Sequence, residues 1–156
     1  RRFTEALHIL SQSTALSTDK AGWETGVRIL KIMTLIEMLK LDEASLAVHS
    51  LKRYFSRTDK ETPIRARDKK ILNLLLLAER KGFMFTMLNG NTDKYLHALA
   101  PSLKGERENI SDSFFWEPFT HEVIPFHEWF AEKMKKSLIS EPQRIRKRER
   151  EKVISR

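Results

Sequence analysis

The chain has 156 residues, 40% of them hydrophobic and 32% charged, a formal net charge of +8 and no cysteine. It is long enough to bury a core yet within the usual size of one domain, and too apolar for a disordered chain. The missing cysteine excludes disulfides, thiolate metal sites and cysteine nucleophiles and fits a reducing compartment, so a cytoplasmic location is expected. No apolar run approaches the roughly 18 residues of a membrane span.

In chain order, Phe3, Leu7, Leu10 and Leu16 step along one helical stripe, and Ser17 to Gly22 reads as a turn. Trp23, Val27, Leu30, Met33, Ile36 and Leu39 recur at three- and four-residue steps, which predicts a long helix ending near Lys40. Ile29, Ile32 and Leu35 widen its apolar face, as in a helix packed on two sides. Asp42 is the expected N-cap of the next helix, with Leu46, Ala47, Leu51, Tyr54 and Phe55 inward and Lys52, Arg53 and Arg57 toward water. So short a connection makes the two helices antiparallel neighbours.

Thr58 to Pro63 is a polar loop, and a helix is expected from about Ile64 to Lys81, where Gly82 is placed to end it. Asn89-Gly90-Asn91 reads as a turn, with Thr92 or Asp93 capping a shorter helix through Leu99. Lys104 to Asp112 lacks any period and reads as a loop. Beyond it, Phe114, Phe115, Trp116, Phe119, Phe126, Trp129 and Phe130 hold seven of the fourteen aromatic residues, and a last amphipathic helix is expected over about Pro125 to Leu138.

Charge separates this body from its end. Lys133 to Arg156 carries ten Lys/Arg and three Glu, a net of +7, and leaves +1 for all that precedes it. That is a near-neutral body with a basic appendage, expected as an exposed helix over 141–156.

No alternating run points to a strand, so the fold class is all-α. The organisation expected is a single helical domain over 1–140, with a repeat-like core at 23–100 and an aromatic capping region at 110–138. Within that core, Arg28-Ile-Leu-Lys-Ile-Met-Thr-Leu-Ile-Glu37, Leu41-Asp-Glu-Ala and Ser50-Leu-Lys-Arg-Tyr-Phe-Ser-Arg57 are followed by Lys70-Ile-Leu-Asn-Leu-Leu. Over residues 27–85 this order resembles the C-terminal tetratricopeptide-like repeats of large bacterial proteins. The resemblance implies stacked antiparallel helix pairs in a right-handed helical repeat, with no catalytic residue and no ligand; an irregular helical bundle is the alternative. With Arg1 in place of an initiating methionine, the chain is expected to be the C-terminal part of a longer protein.

The motifs give no support to catalysis. His121-Glu122 and His127-Glu128 are six residues apart with Pro125 between them, which fits no simple metal site, so they are expected to be packing or surface residues. His8, His49 and His97 are isolated, and five scattered glycines make no phosphate loop. No enzyme activity, cofactor, metal or small-molecule substrate is expected.

Two basic groups are candidates for contact with phosphate or an acidic partner. Lys52, Arg53, Arg57, Arg65 and Arg67 lie within Lys52 to Lys70, which has eight Lys/Arg against three Asp/Glu. Arg144, Arg146, Lys147, Arg148 and Arg150 lie in the tail. Phe114, Phe115, Trp116 and Phe119 either seal the end of the stack or form an apolar partner patch. The expected function is a protein–protein interaction scaffold that binds another protein or itself. The alternative is nucleic-acid association through the basic tail.

Overall fold

In the computed structural model, which describes residues 2–13, 22–60, 62–88, 90–99 and 122–135, the chain is helical. The elements are α1 (Phe3–Ser13), α2 (Trp23–Glu37), α3 (Leu41–Thr58), α4 (Ala66–Arg80), a single 3-10 turn at Phe85–Met87, and α5 (Gly90–Leu99). A further helical segment, α6, covers residues 126–135. No strand occurs among the described residues, and none of their helices is long and apolar enough to cross a membrane.

The principal contacts among α1 to α5 run between consecutive helices, each against the next. α2 lies between α1 and α3 and buries residues around much of its circumference, among them Val27, Ile29, Ile32, Met33, Leu35 and Ile36. That breadth is why its sequence is apolar beyond a single stripe. α3 is half-amphipathic by contrast: Ala44, Val48, Leu51, Tyr54 and Phe55 are buried at helical spacing and the opposite face is charged.

Two helix ends reverse the chain by the same hydrogen-bond pattern. After α2, Leu39 N–H donates to the Ile36 carbonyl at 3.1 Å and Lys40 N–H to the Leu35 carbonyl at 3.0 Å. After α4, Gly82 N–H donates to Glu79 and Phe83 N–H to Ala78, both at 2.8 Å. Both are Schellman turns, which need a left-handed residue just past the helix. Gly82 meets the requirement at φ 59°, as its position in the sequence foretold; Leu39 meets it at φ 58°, a conformation a β-carbon resists.

α6 packs back on the helices before it. Phe126, Trp129 and Phe130 are buried, and Phe85 meets Phe130 edge-on at 5.2 Å between ring centroids and Trp129 at 6.2 Å. Each such ring removed from water contributes about 1.5–3 kcal/mol. The polar edge of the seam is held at Glu37, which accepts from Trp129 Nε1 at 2.9 Å and pairs with Lys133 Nζ at 2.6 Å. These three aromatics of the expected capping region are therefore core.

Several sequence expectations are corrected. Leu39 is in the turn and 78% exposed, and Trp23 is 43% exposed, so neither belongs to the buried face of α2. Leu46 is 72% exposed on the outer side of α3, where the stripe was drawn one residue too wide. Lys40, not Asp42, occupies the N-cap position of α3, and Asp42 sits in the first turn, where its charge favours the helix dipole. α5 begins at Gly90, so Gly90 and Asn91 belong to the helix and not to a preceding turn. The expected loop at Lys104 to Asp112 and the expected tail helix at 141–156 lie outside the described residues.

Candidate functional site

The cations between Lys52 and Lys70 have several different fates. Arg67 goes inward: its side chain is fully buried on the first turn of α4. Its guanidinium donates through Nη2 to Glu122 Oε1 at 2.8 Å and through Nη1 to the Leu99 carbonyl at 2.8 Å, while Nε bonds to Glu122 Oε2. Nη2 also meets His127 Nδ1 at 3.2 Å. An arginine saturated in this way is unable to reach a ligand, so the expectation that Arg67 lies on a contact surface is corrected.

Around Arg67 the sequence-distant ends of three helices converge. Glu122 also accepts the Phe126 N–H at 2.7 Å, which satisfies one of the free donors at the start of α6. Because the guanidinium has no acceptor, His127 Nδ1 is the acceptor in their contact, which fixes the imidazole as neutral with its proton on Nε2. Burial, then the Arg67 charge, hold His127 below its ordinary pKa. The void beside Glu122, bounded by Gly26, Met33 and Val123 among others, is about 10 Å3, no more than a single water needs. Nor do the described residues include a group of three or more acidic or histidine ligands suited to a metal. The cluster clamps the starts of α4 and α6 to the end of α5.

The flanking cations are satisfied locally. Arg65 Nε lies 3.7 Å from Asp68, Lys69 donates to Asp59 at 2.9 Å, and Lys70 lies 4.7 Å from the centre of the Tyr95 ring. Asp59 also accepts the Ile64 N–H at 2.8 Å. The Lys69 hydrogen bond, then the Ile64 one, hold its carboxyl below the usual carboxylate range.

Lys52, Arg53 and Arg57 differ from all of these. They stand exposed on the outer face of α3, and none makes a hydrogen bond or ion pair through its side chain with another described residue. At 100° per residue, positions 49, 52, 53, 56 and 57 share one face of a helix. His49, Lys52, Arg53, Ser56 and Arg57 accordingly line one open cleft of about 650 Å3. His49 marks one end, 3.5 Å from Glu79 of α4, to which Ser45 also donates at 2.8 Å. Of these five, the charge count had singled out Lys52, Arg53 and Arg57; His49 and Ser56 were missed, although the three- and four-residue spacing from the cations was a sufficient signal.

The other candidates, Arg144, Arg146, Lys147, Arg148 and Arg150 in the tail and Phe114, Phe115, Trp116 and Phe119, lie outside the described residues. Against known proteins, the chain matches no family model, no curated protein and no solved structure.

Proposed function

We propose that this protein is a non-catalytic interaction scaffold of stacked helices whose recognition surface is the basic outer face of α3, and that this face takes an acidic protein partner. The observation that carries the reading is the unequal fate of the cations between Lys52 and Lys70. Arg65, Arg67, Lys69 and Lys70 are used inside the fold or on its nearest carboxylates and ring, whereas Lys52, Arg53 and Arg57 share one exposed face whose nearest described carboxylate, Glu79, meets His49 and Ser45, and Lys60 lies exposed just past the end of the helix. Like charges held together on a helix face repel, a cost that an acidic partner would remove.

Consecutive packing of α1 to α5 supports a stacked array of the tetratricopeptide-like kind, in which one helix of each pair leaves an outer face free for contacts. The test is fluorescence anisotropy of a labelled glutamate-rich peptide against the whole chain and against the triple variant Lys52→Glu, Arg53→Glu, Arg57→Glu. The expected result is saturable binding to the wild type that the triple variant loses by at least tenfold. Equal binding to both proteins would remove the proposed surface.

A further inference from the structure

The outer face of α3 carries more than charge. Leu46 is 72% exposed, and a single exposed leucine is ordinary, but its register is not arbitrary. Positions 46, 49, 53 and 57 follow one another by three and four residues, so Leu46 stands at the N-terminal end of the same stripe that continues through His49, Arg53 and Arg57. Lys52 and Ser56 run beside it. Going along the helix, one apolar side chain is followed by a cationic track.

We infer that this face takes an amphipathic acidic helix of a protein partner, with an apolar side chain seated on Leu46 and carboxylates along Lys52, Arg53 and Arg57. The inference rests on the proposed role of the α3 face and adds the form of the partner. An apolar anchor continued by charged positions is how protein interfaces divide affinity from orientation. A track for single-stranded nucleic acid would place aromatic rings among the cations for base stacking. The aromatic residues of this part of α3, Tyr54 and Phe55, are instead buried on the opposite face. From Leu46 to Arg57 the helix rises about 16 Å, so a partner helix of roughly three turns spans the stripe, its carboxylates recurring at the same one-turn interval as the cations.

The experiment uses the whole 156-residue chain and three labelled probes. One is a helical peptide of about fourteen residues, made in both sequence directions, with one leucine near an end and glutamates along the same face. The second is that peptide with serine for the leucine, and the third is an oligothymidylate of similar contour. Leu46→Ser exchanges an exposed side chain, and circular dichroism verifies that the helix content is unchanged. Leu46→Ser is expected to weaken the leucine peptide about tenfold, to leave the serine peptide and the oligothymidylate unaffected, and so to bring the two peptides to equal affinity. Equal binding of the leucine peptide to wild type and Leu46→Ser overturns the inference while leaving the acidic-partner surface in place. Tighter binding of the oligothymidylate than of either peptide overturns it in favour of nucleic acid. Peptide binding that survives the triple charge reversal removes the surface itself.

Discussion

Arg67→Met separates the clamp from the surface in one substitution. The methionine keeps most of the buried stem and deletes every donor. The wild-type guanidinium spends two hydrogen bonds on the Glu122 carboxylate, each worth about 1.5–3 kcal/mol when charge-assisted, and one on the Leu99 carbonyl. Without it, the Glu122 side chain, 4% exposed, retains the Phe126 N–H but loses its counter-charge in the interior. Breaking a buried pair from one side costs about 3–5 kcal/mol, a large share of the roughly 5–15 kcal/mol that holds a domain folded. With a slope of about 2 kcal/mol/M, the urea midpoint falls by about 2 M. Adding Glu122→Gln removes the stranded charge and preserves an acceptor for Phe126, so the double variant is expected to regain at least about 1 kcal/mol over Arg67→Met. An Arg67→Met protein within about 1 kcal/mol of wild type, or a double variant less stable than the single, would refute the clamp. Peptide binding by the α3 face, measured where Arg67→Met is still folded, is expected to be unchanged.

His127 makes the same clamp sensitive to acid. Its folded-state pKa lies below the unfolded one, so between the two values the unfolded chain binds more protons. Stability is therefore unaffected by this group above the ordinary histidine value of 6.5 and falls as the pH drops below it toward the depressed value. His127→Gln, which still offers an acceptor to Arg67, is expected to flatten the fall in Tm between about pH 6.5 and 5 relative to wild type; parallel curves would count against a buried neutral imidazole. At the α2–α3 turn, Leu39→Gly relieves a left-handed conformation at an exposed position. It is expected to stabilise by about 0.5–1 kcal/mol in urea unfolding, net of the added freedom of the unfolded chain, and a loss of stability would show that the leucine side chain contributes despite its exposure.

How far the fold could be read in advance follows from how local each signal is. Helical periodicity located α2, α3 and α4 because their apolar faces repeat over several turns. The α4 end was legible because Gly82 is the usual residue for a left-handed cap; the equivalent turn at Leu39 was not, since the residue there follows from the hydrogen bonds of Leu35 and Ile36 and not from its own preference. Leu46 was assigned inward on hydrophobicity alone. Its neighbours Ala44 and Val48 take the core side of α3, and only the packing against α2 and α4 decides which edge of the stripe is covered.

The charged residues show the same limit more sharply, and it bears on function. Between Lys52 and Lys70, a sequence sees eight equivalent cations; nothing local distinguishes Arg67 from Arg65 or Arg57. Arg67 differs because Glu122 and His127, more than fifty residues away, meet it at the start of α4, where α5 ends and α6 begins. Once it is removed from the surface, along with Arg65, Lys69 and Lys70 and their local partners, what remains is Lys60 just past the end of α3 and one ordered face of that helix, at Lys52, Arg53 and Arg57. A diffuse patch would attract any polyanion by net charge alone. A row of cations in helical register, opening on an exposed leucine, would instead set a spacing and a direction for the proposed partner to match, which is why the anchor and the charges are tested separately.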